Sequence, residues 1–288
     1  MTPASALPLP FGRRVELPGR GTTFVREVEG PPGAPTVLLL HGWIASAGVN
    51  WFQAFDALGE RYRVLAPDLR GHGRGIKSGR RFTLADCADD LAALIEAEGT
   101  GPVIVVGYSL GGPVAQLLWK RHPHLVAGLV LCATSHFLLP GTRAQMIFTG
   151  MMVAAVSGTR VGQSVARQPL RRMVERSQVR PSVRPETKAA WLRAEMARAD
   201  VRQIVEAGLA LSNYHARFMH EIDVPTAVLV TAKDRAIRPY AQLRMALKIP
   251  GAAIHRVDDG HLVFAKDTFG ASLLAPIADV VSRAAVNI

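Results

Sequence analysis

A serine, an acid and a histidine follow one another along the chain in contexts suited to nucleophilic catalysis. Ser109 lies between glycines in VIVVGYSLGGPVAQ (residues 103–116), Asp234 lies in VLVTAKDRAIRP, and His261 lies in VDDGHL. A serine hydroxyl becomes an effective nucleophile when a neighbouring base removes its proton, and histidine commonly acts as that base. An acid can hold the histidine in the required tautomer and stabilise its charged form. These residue types therefore predict covalent catalysis at Ser109, provided that the fold brings them together.

Each of these residues follows a stretch that is typical of a buried strand. The apolar runs do not alternate with polar residues, as expected for strands that are covered on both faces. They span residues 36–42, 62–68, 103–107, 126–133, 225–232 and 252–257. Stretches of helical periodicity lie between or after them, at residues 83–99, 112–123, 240–249 and 268–284. This alternation predicts an α/β fold with a mostly parallel central sheet flanked by helices.

The predicted sheet also explains how the three residues could meet. Ligands bind at the carboxyl ends of the strands in open α/β sheets, and all three residues follow strand ends. Residues 13–28 alternate weakly and contain Pro18-Gly19 and Gly21, which predicts an antiparallel hairpin before the first parallel strand.

The alternation of strands and helices divides the chain into three segments. Residues 1–135 and 221–288 form the predicted core, and residues 136–220 have a helical pattern throughout. We expect this middle segment to be a helical insertion that covers the carboxyl ends of the strands. Its uncharged, methionine-rich part, residues 146–158, suits contact with a flexible apolar group.

Five short motifs occur in order at the predicted strand ends. They are His41-Gly42, the D-x-R-G-x-G turn at residues 68–73, the G-x-S-x-G stretch at 107–111, the acid-containing turn with Asp234, and Gly260-His261. Together they resemble the α/β-hydrolase fold family, in particular its helical-capped esterases, lipases and haloperoxidases. The resemblance extends over essentially the whole chain.

The resemblance implies a role for each site residue. Ser109 would be the nucleophile, His261 the general base and acid, and Asp234 the orienting acid. The backbone N–H groups of Trp43 and Leu110 would form the oxyanion hole, with the start of the following helix favouring negative charge. No cofactor and no metal ion are implied.

The residues leave some alternatives open. Asp259 lies closer to His261 in sequence and is a second candidate for the acid. A serine at position 109, where epoxide hydrolases and haloalkane dehalogenases of the family have an aspartate, argues against those two activities. Tyr108 stands where the carbon–carbon hydrolases tend to have asparagine. We expect Tyr108, together with Met151, Met152 and Leu262, to line the substrate pocket.

The resemblance implies a serine hydrolase that cleaves carboxylic esters of a small apolar substrate, with thioesters and lactones as related substrates. Two alternatives use the same residues. One is a cofactor-free haloperoxidase or perhydrolase, and the other is a receptor-like protein that binds a ligand without turnover.

Charge and composition limit which classes of partner the protein is expected to bind. The net charge is +11, and residues 160–202 carry ten arginines and one lysine against four acidic residues. Weak association of this basic segment with an anionic membrane surface is one expectation. Because Trp191 is its one aromatic residue, nucleic-acid binding is not expected. The start, MTPASALPLPFGRR, lacks the basic and apolar regions of a signal peptide, so we expect a cytoplasmic protein of undetermined oligomeric state.

Overall fold

The computed structural model describes residues 9–137, 146, 147, 149–154 and 188–285, and an eight-stranded sheet forms its centre. The strands are β1 (Gly12–Leu17), β2 (Gly21–Val28), β3 (Thr36–Leu40), β4 (Arg63–Pro67), β5 (Val103–Tyr108), β6 (Val126–Cys132), β7 (Thr226–Thr231) and β8 (Ala253–Val257). They lie in the order β1-β2-β4-β3-β5-β6-β7-β8. β1 and β2 form the predicted antiparallel hairpin, β2 pairs antiparallel with β4, and every later pairing is parallel. The predicted α/β fold class is therefore confirmed.

Helices connect the strands and cover both faces of the sheet. The numbered helices of the described chain are α1 (Ala47–Trp51), α2 (Phe55–Gly59), α3 (Leu84–Glu98), α4 (Gly111–Arg121), α5 (Lys188–Met196), α6 (Val201–Ser212), α7 (Pro239–Ala246) and α8 (Phe269–Ala285). α3 begins at a Thr83 cap that accepts a hydrogen bond from the Asp86 N–H, and it ends at Gly99 in the left-handed conformation. α1 and α2 lie between β3 and β4, outside the stretches whose periodicity predicts a helix.

Two apolar clusters fix the sheet between its helices. On one face α3 and α4 pack against the strands, and on the other face α2 and α8 do so. All six residues of β5 are buried, which explains why this strand has no charged residue. Cys87 and Cys132 belong one to each cluster, and burial raises the pKa of both thiols well above the usual range.

The chain between β6 and β7 contributes α5, α6 and the helical residues 146, 147 and 149–154. α6 is attached to the loop after β4: the Asp200 N–H donates to the Gly71 carbonyl (2.9 Å), and the Phe82 N–H donates to Glu206 Oε2 (2.8 Å). The boundaries at residues 136 and 220 stay a prediction. Residues 160–187, which make up most of the basic segment (residues 160–202), lie outside the described residues.

Charged side chains on and between α5 and α6 form local contacts. The Arg202 guanidinium donates to the backbone carbonyls of Ser78, Gly79 and Arg80, and Arg198 pairs with the buried Glu195. Within the described part of the chain, each helix is too short or too polar to cross a bilayer. Membrane-surface binding by the basic segment remains an expectation.

Candidate active site

The turn from β5 into α4, residues 107–111, forms a sharp elbow around Ser109. Ser109 has φ = 51°, a left-handed conformation that is uncommon for a residue with a side chain. A Cβ atom on Gly111 would lie 2.2 Å from the Leu40 carbonyl oxygen, and one on Gly107 would lie 2.5 Å from the Gly111 carbonyl oxygen. The Ser109 N–H donates to the Cys132 carbonyl of β6 (3.0 Å). The elbow can therefore form because Gly107 and Gly111 have no side chains.

Ser109, His261 and Asp234 form one hydrogen-bonded chain. Ser109 Oγ lies 3.0 Å from His261 Nε2, and His261 Nδ1 lies 2.8 Å from Asp234 Oδ2. Because the Nδ1–H group donates to the carboxylate, Nε2 carries no proton and accepts the hydrogen bond of the serine hydroxyl. The rival carboxylate, Asp259, instead accepts a hydrogen bond from the Gly260 N–H (2.9 Å). Of the two acids, Asp234 is thus the one that contacts the histidine.

A buried set of hydrogen bonds holds Asp234 in the acid turn, residues 231–237. Asp234 Oδ1 accepts from the N–H groups of Ala236 and Ile237, each at 2.8 Å, and Oδ2 accepts from the Thr231 hydroxyl at 2.8 Å. The fully buried Gln242 donates to Thr231 Oγ1 (2.8 Å) and to the Ile237 carbonyl (2.7 Å), and it accepts from the Thr231 N–H (3.1 Å). The carboxylate therefore has its orientation fixed before it meets the imidazole.

Tyr108 supports the histidine from the core side. Its hydroxyl donates to the backbone carbonyl of His261, and its ring contacts Trp51, Phe264 and Phe269 edge to face. Burial raises the pKa of the phenol, so the hydroxyl stays protonated. Tyr108 thus contacts the backbone of His261, and the next residue, Ser109, contacts its ring.

The turn that follows β3 lies directly against the elbow. A Cβ atom on Gly42 would be 3.4 Å from Ser109 Cβ, and the Gly42 N–H donates to Asn50 Oδ1 (2.9 Å). The buried His41 bridges the Gly42 carbonyl (2.8 Å) and the Leu69 N–H (2.9 Å). Burial lowers the pKa of His41 to about 4, so it is neutral and acts as a structural bridge.

The two residues proposed to stabilise an oxyanion occupy this junction. Leu110 follows Ser109 and caps the amino end of α4 (Gly111–Arg121), where the helix dipole favours negative charge. Trp43 follows Gly42 in the adjacent turn. Leu110 thus belongs to the elbow itself, and Trp43 directly follows the glycine whose Cβ position contacts Ser109.

The family comparison agrees with this geometry. A model described as the alpha/beta hydrolase fold matches residues 35–268, which run from the start of β3 to beyond His261. The chain belongs to the α/β-hydrolase family. Because the match spans most of the chain, the family assignment rests on the strands from β3 to β8 and the helices between them as well as on the elbow.

The relatives of this chain include proteins that are named for different activities. The magnesium-chelatase 30 kDa subunit of Rhodobacter capsulatus is 29% identical over 245 residues, which cover 81% of this chain and 83% of that protein. Lipase LipV of Mycobacterium tuberculosis is 38% identical over 125 residues, 43% of this chain and 46% of LipV. This chain spans less than half the length of LipV and of some other curated relatives. A thermophilic esterase from Thermogutta terrifontis shares the fold, with a TM-score of 0.71 at 24% identity over 94% of this chain and 99% of the esterase.

A cavity opens beside Ser109 on the α4 side of the hydrolase. Its walls combine apolar side chains with three hydroxyl groups besides that of Ser109, and they are formed by Pro113, Thr134, Ser135, Phe137, Leu211, Tyr214 and Ile237. The Tyr214 hydroxyl donates to Gln116 Oε1 (2.9 Å), so the tyrosine presents mainly its ring. The cavity therefore offers a largely apolar surface next to the serine.

The four residues predicted to line the substrate pocket lie outside the cavity beside Ser109. Tyr108 is not among the residues that line the cavity, because its ring is buried in the core below the elbow. Leu262 and Met151 are exposed, at 67% and 54% of their surface. Met152 lies close to Trp43, since a Cβ atom on Gly208 would contact Met152 Sδ at 2.9 Å and Trp43 Cζ2 at 2.7 Å. None of the four is among the residues that line the cavity beside Ser109, and their contact with a substrate stays a prediction.

Sequence reasoning missed the residues that support the site and most of its walls. Thr231 could have been found, because it ends the strand directly before the acid turn. Gln242 and Asn50 carry no such signal, since each reaches the site from a neighbouring helix. Leu211 and Tyr214 come from the β6–β7 connection, whose path over the site the sequence pattern does not specify.

Proposed function

We propose that this α/β-hydrolase is a cofactor-independent serine hydrolase that cleaves carboxylic esters through an acyl-enzyme. The observation that carries the proposal is the hydrogen-bonded chain from Ser109 Oγ through His261 to Asp234, with the serine raised on a strained elbow. Strain of this kind persists only where the surroundings enforce it and is concentrated at functional sites. The lipase and esterase names among the relatives support the same reaction class.

In the first half of the proposed reaction, Ser109 Oγ attacks the ester carbonyl carbon and its proton passes to His261 Nε2. The negative charge that develops on the carbonyl oxygen is stabilised by the N–H groups of Trp43 and Leu110. Collapse of this intermediate breaks the bond to the alcohol, which leaves with the proton from His261. Asp234 stabilises the imidazolium during these steps without taking its proton.

In the second half, water replaces the alcohol. His261 removes a proton from the water, which attacks the acyl carbon, and the Ser109 oxygen leaves with the proton that the histidine returns. The products are a carboxylic acid and the free enzyme. Ester, thioester and lactone substrates all react by these steps, because each has a carbonyl carbon and a leaving group that accepts one proton.

The apolar side chains that line the small cavity beside Ser109 favour an acyl group with an apolar part. Phe137, Leu211 and Ile237 provide contact surface, while Thr134 and Ser135 add polar groups near the serine. Pockets that combine apolar walls with a few polar groups bind small organic ligands. A series of p-nitrophenyl esters of increasing acyl length tests this part, and hydrolysis of the acetate alone would contradict it.

Labelling with a fluorophosphonate tests the reaction class. The wild-type protein should gain the mass of one phosphonyl group, and Ser109→Ala should gain none. Ser135→Ala is the matched control, because Ser135 lines the same cavity but donates to the Ala241 carbonyl instead of facing a base. Equal labelling of wild type and Ser109→Ala would refute the proposal.

Turnover assays separate the alternatives. Labelling at Ser109 without turnover of any ester, thioester or lactone would favour a receptor-like protein. Peracid formation from an ester and hydrogen peroxide that exceeds hydrolysis would favour a perhydrolase with the same residues.

A further inference from the structure

The turn after β3 has an unusual residue at its third position. The Ala45 N–H donates to the Gly42 carbonyl (3.3 Å), which closes a four-residue turn over residues 42–45. Ile44 stands at the third position with φ = 63°. A left-handed third residue is the pattern of a type II turn, where glycine is favoured and a β-branched side chain is strained. Ile44 is 39% exposed, so core packing of its side chain is not what enforces the conformation.

Contacts outside the turn hold it in place. On one side the Gly42 N–H donates to Asn50 Oδ1 (2.9 Å). On the other side the Trp43 indole Nε1–H donates to the Ile204 carbonyl (2.8 Å), which belongs to α6. The turn therefore connects α1 of the core with α6 of the β6–β7 connection.

α6 has a notch that receives the indole ring. Gly208 lies one turn after Ile204, and a Cβ atom there would be 2.7 Å from Trp43 Cζ2. Such a distance is too short for any residue larger than glycine unless the ring moves. The hydrogen bond and the notch together define where the Trp43 side chain lies on the helix.

α6 is itself fixed independently of Trp43. Gln203 Nε2 donates to the Ser78 carbonyl (2.6 Å), and Glu206 Oε2 accepts from the Phe82 N–H (2.8 Å). The same helix supplies Leu211 to the cavity beside Ser109. A firmly attached helix can thus hold the turn and one wall of the cavity in a constant relation.

We propose that Trp43 is a positioning residue, whose indole ties the strained turn to α6 and thereby keeps the Trp43 backbone N–H directed at the oxyanion. This inference rests on the proposed function, because it assigns the N–H group a part in ester hydrolysis. It adds that α6, which contributes no residue to the reaction itself, sets the rate through the side chain of Trp43. Without the tether, the turn is expected to relax away from the left-handed conformation at Ile44.

The first test is Trp43→Phe, which keeps an aromatic ring and removes the donor. We expect kcat to fall about 10-fold, short of the roughly 100- to 1000-fold loss that follows removal of an oxyanion donor, with KM changed by less than about threefold. Affinity for a boronic acid that mimics the tetrahedral intermediate should fall by the same factor as kcat/KM. Trp119→Phe is the matched control. Trp119 lies near the carboxyl end of α4, and its indole also donates a hydrogen bond, to Asp223. Its replacement should leave kcat unchanged.

The second test asks whether strain at Ile44 is the reason. Glycine adopts φ = 63° without strain, so Ile44→Gly should restore most of the kcat that Trp43→Phe loses. A general loss of packing at Trp43 would not be repaired by this change. Equal kcat in Trp43→Phe and Trp119→Phe, or a loss that Ile44→Gly leaves unchanged, would overturn the proposal.

A third variant acts from the opposite side of the contact. Gly208→Ala should displace the indole and lower kcat as Trp43→Phe does, whereas Gly150→Ala, a helical position with open space around its Cβ, should have no effect. This pair keeps the proposal testable if Trp43→Phe fails to fold, and an unchanged kcat in Gly208→Ala would contradict it. If the wild type neither reacts with fluorophosphonate nor hydrolyses an ester, the proposed function fails, and the inference fails with it. A fully active wild type with unaffected variants overturns the inference alone.

Discussion

The elbow and the acid turn both end a central strand and both hold a residue of the site, yet opposite means shape them. At the elbow, Gly107 and Gly111 make room for close backbone contacts, with space for a Cβ atom on neither. At the acid turn, Asp234 is surrounded by polar groups that each form a defined hydrogen bond. The elbow depends on glycines that have no side chains, whereas the acid turn depends on polar groups that form hydrogen bonds.

This difference teaches which changes each turn tolerates. Steric closure against a backbone carbonyl has no way to adjust, because the carbonyl is fixed in the sheet. A hydrogen-bond network has several members, so the loss of one is partly compensated by the others and by water. We therefore expect single substitutions to disrupt the elbow more than they disrupt the supports of the acid turn. The residue that the acid turn orients is the exception, since no neighbour replaces its charge.

That exception provides the largest expected effect. Asp234→Asn replaces an acceptor with an amide that favours the wrong tautomer of His261, and kcat should fall about 10,000-fold. The control is Asp259→Asn, because Asp259 contacts Gly260 and not the imidazole. Kinetics with the best p-nitrophenyl ester measure both variants. A larger loss in Asp259→Asn would reverse the assignment of the acid.

Gly111→Ala tests the elbow by steric means. The added Cβ atom would lie 2.2 Å from the Leu40 carbonyl oxygen, so the start of α4 must move, and the free energy of unfolding should fall by about 4 kcal/mol. Urea unfolding measures this against Gly79→Ala, where a Cβ atom meets nothing within 4 Å. Equal stability of the two variants would remove the contrast between the turns.

Acid should act on the elbow side of the site through His41. Burial lowers the pKa of His41 from 6.5 to about 4, so the unfolded chain binds a proton that the folded chain does not between these values. Above pH 6.5 His41 is neutral in both the folded and the unfolded chain, and the folded protein has its full stability. As the pH falls toward 4, the free energy of unfolding decreases by about 3 kcal/mol. Urea unfolding at pH 7 and pH 4.5 should show a smaller difference for His41→Gln than for the wild type.

Gln242→Leu tests the network of the acid turn. It removes three donated bonds, to Thr231 Oγ1, Asp234 Oδ2 and the Ile237 carbonyl, and one accepted bond from the Thr231 N–H. The Thr231 N–H and the Ile237 carbonyl are then buried without this partner. The free energy of unfolding should fall by about 2 kcal/mol, less than for Gly111→Ala. Both variants belong in one urea series. A larger loss in Gln242→Leu would show that the network is the more rigid of the two turns.

Tyr108→Phe links the two turns and should have the smallest effect. The variant keeps the buried ring and loses the bond to the His261 carbonyl, so the free energy of unfolding should fall by about 1 kcal/mol and kcat by a few-fold. Calorimetry and ester kinetics measure these values. An unchanged kcat would show that His261 needs no support from the elbow.

The contrast also explains what could be predicted from the sequence. Glycines and the Ser109 motif are visible in the chain because steric closure permits few residue types, and the apolar strands are visible because both faces are covered. Among the supports of Asp234, Thr231 has a signal because it ends the strand before the acid turn, whereas Gln242 has none, since it is an ordinary helix residue until the helix packs against the turn. Tyr108 was assigned to the pocket because its position beside Ser109 in sequence does not reveal the direction of its side chain.

The burial of both cysteines makes the protein suitable for site-directed labelling. Cys87 and Cys132 are 1% and 0% exposed, and their raised pKa values leave little thiolate to react with a maleimide. Cysteines introduced at the exposed positions Leu192 of α5 and Leu247 after α7 would therefore take up spin labels selectively. Electron paramagnetic resonance on such a doubly labelled protein would follow the distance between the β6–β7 connection and the core as an inhibitor binds.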